Sequence, residues 1–165
     1  MGLKLRSFAL LVLIGAVVAC DPGPNRGAAG ARDEVLSVTE NTKDFGNYQV
    51  HVNALNTDRL TADVARQYDI VRSKERAALI VNIRRKNPDT TTSAVTAKVT
   101  ASAANLNGQF KTMTLREIRV EDAIYYIGEL PITDGEALTY TIEAIPEGEA
   151  EPLVVRYKQQ FFVDV

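Results

Sequence analysis

The sequence predicts an all-β fold, a single antiparallel β-sandwich of immunoglobulin-like architecture with about seven strands and one short crossover helix. Three observations predict it. Apolar and polar residues alternate with period two in one segment after another from Tyr48 onward. Turn-forming residues separate these segments, and only one stretch has helical chemistry. Strict alternation buries one face of a strand and wets the other, which is the habit of antiparallel sheets. A closed barrel would show the same period and is the alternative.

Val35 to Val38 reads as a short additional strand. Tyr48, Val50, Val52 and Ala54 then alternate with Gln49, His51 and Asn53. Thr61 to Asp69 is the helical stretch: Thr61 can cap it, and Asp63 suits its positive start. Leu79, Val81 and Ile83 alternate with Asn82 and Arg84, and Asn87-Pro88-Asp89 turns the chain. Val95, Ala97, Val99, Ala101 and Ala103 share one face of the next strand.

Between Phe110 and Val120 the apolar phase changes from Met113 and Leu115 to Ile118 and Val120. A shift of one residue exchanges the faces of a strand, so a bulge or bend is expected near Arg116-Glu117. Glu121-Asp122 reads as a hairpin turn. Ala123 to Leu130 is apolar on both faces, as a central strand covered on both sides would be. Leu138, Tyr140, Ile142 and Ala144 form one apolar face. Leu153, Val155, Tyr157, Phe161 and Val163 form the last, opposite Arg156, Lys158, Gln160 and Asp164. Arg156, Lys158 and Gln160 would protect this strand from edge pairing if it lies at a sheet margin.

The first residues carry an address. Lys4 and Arg6 precede an uncharged run from Phe8 to Ala19, and Val17-Val18-Ala19 leads into Cys20, the only cysteine. This is similar to a bacterial lipoprotein leader, with residues 1–19 as signal peptide and Cys20 as the lipidated N-terminus. The run is too short to cross about 30 Å of hydrocarbon, which needs ~20 residues. Several acyl chains on Cys20 hold firmly, because each buried methylene contributes about 0.8 kcal/mol. Residues 20–33 read as a flexible Pro/Gly-rich tether and 34–165 as the β-sandwich domain. The expected location is the periplasmic side of the cell envelope. Asp21 favours the inner membrane; the outer membrane is the alternative.

The whole chain has 19 Lys and Arg against 21 Asp and Glu. Removal of Lys4 and Arg6 leaves a mature net charge of −4, which argues against a nucleic-acid partner. With Cys20 occupied by lipid, no thiol remains for a disulfide or a thiolate ligand.

Several strings carry a family resemblance: Asn41-Thr42-Lys43-Asp44-Phe45-Gly46-Asn47-Tyr48, Val71-Arg72-Ser73-Lys74, Asn105-Leu106-Asn107-Gly108-Gln109, and Arg116-Glu117 followed by Asp122-Ala123-Ile124-Tyr125-Tyr126-Ile127. Together they resemble domain of unknown function 4426, a family of small exported proteins of Gram-negative bacteria, over roughly residues 34–165. The resemblance implies one β-sandwich-like domain outside the cytoplasm, and it implies no reaction.

Candidate sites are sparse. His51 is the only imidazole, and no second His or Cys stands at ligand spacing, so neither a metal nor a cofactor is expected. No Gly-x-Ser-x-Gly elbow accompanies it. The expectation is a non-enzymatic protein, with His51 in a structural role. Arg72, Lys74 and Arg76 lie in one basic run and Arg84-Arg85-Lys86 form another; they could form a patch for anionic groups, though a solvated turn and a strand end are the ordinary outcome. Tyr125 and Tyr126 could line a groove, although packing on opposite faces is the ordinary outcome. Phe162, if exposed, would be a contact point for a partner strand. The leading expectation is a lipid-anchored module that presents a sheet face or edge to another envelope protein. The second is a small-molecule or glycan binder with a pocket near the helix and Tyr125/Tyr126.

Overall fold

A computed structural model describes residues 35–36 and 40–163. The leader, Cys20 and the tether lie outside the described residues, as do Val38 and Asp164. Two open sheets pack face to face as a sandwich. The first contains β1 (Val35–Leu36), β6 (Ala97–Asn105), β7 (Phe110–Met113), β10 (Ala137–Pro146) and β11 (Leu153–Gln160), in the order β1-β11-β10-β6-β7. The second contains β2 (Thr42–Phe45), β3 (Tyr48–Asn56), β4 (Arg76–Lys86), β8 (Arg116–Val120) and β9 (Ala123–Pro131), in the order β2-β3-β4-β9-β8. β5 (Thr92–Ala94) pairs with β4 beyond the reach of β9. All pairings are antiparallel except β1 with β11.

The alternating residues face each other across the interior. Val50, Val52, Leu79, Val81 and Ile83 meet Leu138, Tyr140, Ile142, Val155 and Tyr157, all buried. Period two is thus converted directly into a core, since successive side chains leave a strand on opposite sides.

Among the described residues eleven strands replace the expected seven or so, for identifiable reasons. β1, β2 and β5 are short and exist through pairing with longer neighbours. The segment expected to bend near Arg116-Glu117 instead breaks at Thr114-Leu115, and the break moves the chain from one sheet to the other. Gly128 permits that crossing. A Cβ there would lie 2.9 Å from Leu115 Cδ2 and 3.1 Å from the Thr114 carbonyl oxygen, closer than side chains tolerate. Glu121 and Asp122 form the β8–β9 turn, with Glu121 at φ 48°.

Asn82 departs from its expected solvent position and is buried. It stands where the β4–β9 ladder stops at Val81↔Tyr126, and its Nδ2 donates to the Ile124 carbonyl at 2.6 Å. The side chain therefore replaces a missing ladder bond. Helix α1 (Ala62–Gln67) starts on Thr61, whose hydroxyl accepts the Val64 N–H at 3.3 Å. The helix lies in the crossover from β3 to β4 and buries Ala65 in a cluster with Ile127 and Ile70.

Candidate functional site

The outer faces of the two sheets differ. The five-stranded sheet turns Thr139, Thr141 and Glu143 of β10 outward, with Lys98 and Thr100 of β6 beside them. The outer face of the second sheet is apolar where β4, β9 and β8 adjoin. Ile80, Ile127, Tyr125 and Ile118 share this face, and α1 covers it only in part. The result is a groove of about 250 Å³ between the helix side, with Leu60 and Tyr68, and the strands.

Three charges stand toward one end of the same face: Arg116 level with Ile127, Glu129 one position further, and Arg76 across from Pro131. Glu129 of β9 lies 3.4 Å from Arg76 of β4 and 3.9 Å from Arg116 of β8. Arg116 also donates to the carbonyls of Tyr68 and Asp69, which ties β8 to the end of α1. The Nε of Arg76 is buried with no hydrogen-bond partner.

A second feature is one end of the sandwich, where β6 and β11 finish and β7 and β10 begin. Asn105 shapes the β6–β7 hairpin: its Oδ1 accepts the N–H groups of Asn107 at 3.1 Å and Gln109 at 3.0 Å. Gly108 supplies the left-handed residue at φ 76°. This leaves Leu106 78 % and Phe110 80 % exposed. Phe162, just past β11 at the same end, is 53 % exposed. Its carbonyl accepts the Asn56 amide at 2.9 Å. Below these residues Lys111 holds the Glu136 carboxylate at 2.7 Å and the Pro131 carbonyl at 2.8 Å.

The sequence candidates separate accordingly. Tyr125 and Arg76 lie on the outer face of one sheet but toward opposite ends of the β4–β9 ladder, since Arg76 stands across from Pro131. Tyr126 does not join them: it is buried between the sheets, where its hydroxyl accepts the Ala97 N–H at 2.7 Å and donates to Glu117 at 3.1 Å. Burial raises its pKa, against the Ala97 hydrogen bond, while the Glu117 bond raises it further. Arg72 stabilises a loop by donating to the Asp58 carbonyl at 2.7 Å, and Lys74 is likewise engaged. The second basic run also disperses: Arg84 binds Thr92, Arg85 stacks on and hydrogen-bonds Tyr48, and Lys86 pairs with Asp44. His51 sits beside Thr42, with Nδ1 2.8 Å from the Thr42 hydroxyl. Among the described residues, no group of three or more His, Cys, Asp or Glu is placed to hold a metal ion. Leu106 and Phe110 escaped sequence reasoning, because an apolar residue beside a strand reads as core.

The domain of unknown function 4426 family matches residues 42–164. The chain belongs to this family. A crystal structure of a domain of unknown function 4426 protein from Pseudomonas aeruginosa is 31 % identical, with a TM-score of 0.65 over 75 % of this chain and 95 % of that one. FetP of uropathogenic Escherichia coli, in a copper-bound variant, is 11 % identical with a TM-score of 0.53, covering 73 % of this chain and 93 % of that one. FetP as isolated after expression in the Escherichia coli periplasm gives 11 % and 0.52, over 73 % and 92 %. At that identity the likeness is one of fold. No curated protein matches the chain.

Proposed function

We propose that this domain of unknown function 4426 protein is a lipid-anchored, non-enzymatic interaction module on the periplasmic side of the cell envelope. It docks another envelope protein through the loop end of its sandwich. One observation carries the reading: Leu106, Phe110 and Phe162 are large, apolar and exposed at the same end of one sheet. Exposed apolar side chains gathered in one region mark contact surfaces, and buried aromatic anchors dominate the energy of such contacts.

The copper named for FetP does not enter the reading, because the described residues offer no ligand cluster. A glycan partner is poorly matched as well, since the outer groove is walled by apolar side chains.

Leu106 and Phe110 contribute little to the core, so serine at both positions should leave the fold intact. Co-purification of the partner with the full chain from membranes is expected to fall roughly tenfold or more. Undiminished recovery with the double variant would contradict the docking end.

A further inference from the structure

The outer groove makes no use of Leu106, Phe110 or Phe162 and is independent of the docking end. Its floor is Ile80, Ile118, Tyr125 and Ile127. The backbone groups of β4 and β9 beneath are committed, since β4 pairs with β3 and β9, and β9 with β4 and β8, which leaves only the outer edge of β8 open. A peptide lying over β4 and β9 would leave its own N–H and C=O groups without partners. A hydrocarbon chain has none to satisfy. The groove's 250 Å³ corresponds to about eight groups of water or methylene size, room for one chain and not two.

The charges on the same face, just outside the groove's lining, select the head group. Arg116 stands directly across from Ile127 in the ladder, and Arg76 and Glu129 lie on the same face. Two guanidinium groups share one carboxylate there. Arg76, Arg116 and Glu129 together carry one net positive charge. Arginine is the side chain best suited to bind a carboxylate through paired donors.

We propose that the groove between α1 and strands β4, β8 and β9 binds a single-chain fatty acid, with its hydrocarbon along Ile80, Ile118 and Ile127 and its carboxylate at Arg76 and Arg116. The test uses the full chain in nanodiscs and a diazirine-bearing decanoate, with the labelled peptides mapped by mass spectrometry. Label is expected on the segments holding Ile80, Ile118 or Tyr125. Decanoate should displace it at roughly tenfold lower concentration than decylammonium, with decanol between them. Arg116→Gln should remove the advantage of decanoate over decanol, and Leu106→Ser with Phe110→Ser should leave labelling unchanged.

Label on other segments, or equal displacement by decanoate and decylammonium, would overturn the proposal. Stronger displacement by a lysophosphatidylglycerol than by decanoate would also overturn it, in favour of a phospholipid. The competition on the unaltered chain decides the matter even if Arg116→Gln does not fold.

Discussion

Tyr126 of β9 and Ala97 of β6 join the two sheets through one hydrogen bond, the Ala97 N–H donating to the Tyr126 hydroxyl at 2.7 Å. The bond is buried and lies between the sheets. Tyr126→Phe would leave the Ala97 amide without a partner, at a cost of about 1–3 kcal/mol. Tyr140 provides the opposite case, because its buried hydroxyl has no partner at all. Tyr140→Phe should therefore be neutral or stabilising. Urea denaturation of both variants checks the contrast, and equal losses would contradict the assignment of partners.

Glu136 predicts acid sensitivity. Burial pushes its carboxyl pKa up, but the Lys111 bond and the Thr133 N–H outweigh this and hold it below the ordinary 4.5. The folded state thus favours the charged form. Its stabilisation is present above pH 4.5 and is lost as pH falls through the lower folded value. Glu136→Gln should be less stable at neutral pH by about 1–3 kcal/mol and should show a flatter stability curve below pH 4.5. Parallel curves for the two proteins would count against the pair.

His51 titrates in the other physiological window. Burial lowers its pKa below 6.5, the charge of Arg84 adds to the effect, and Asp44 opposes it. Because the folded state holds this proton more weakly than the unfolded chain, the contribution is present above pH 6.5 and fades as pH falls. An NMR titration of the single imidazole should give a midpoint under 6.5. A midpoint above that value would show that a carboxylate, and not desolvation, governs the ring.

Much of the fold was legible because alternation is a local property. Leu138, Tyr140, Ile142 and Ala144 read as one face and are all fully buried. The phase change after Leu115 was visible too, yet not as a change of sheet, since a local pattern gives faces and not the sheet they belong to. β2 and β5 carried little apolar signal; pairing with β3 and β4 creates them. For the groove, the double-sided apolar character of Ile124 to Ile127 was apparent. The meeting of Arg76 with Glu129 and Arg116 was not, because it depends on strand neighbours distant in sequence.

The anchor makes a prediction of its own. Cys20→Ser should move the protein from the membrane fraction to the soluble periplasm, or stall its processing with the leader attached. An unchanged distribution between the fractions would remove lipidation from the account.

A tethered sandwich that works through its apolar loop end should crosslink to its partner at that end in intact cells. A photoreactive phenylalanine analogue replaces either Phe110 or Thr141, the latter mid-way along β10 on the polar outer face of the same sheet. The account predicts a discrete protein adduct from position 110 that is absent from position 141 and lost in the Cys20→Ser background. No adduct from position 110, or the same adducts from both positions, would contradict it.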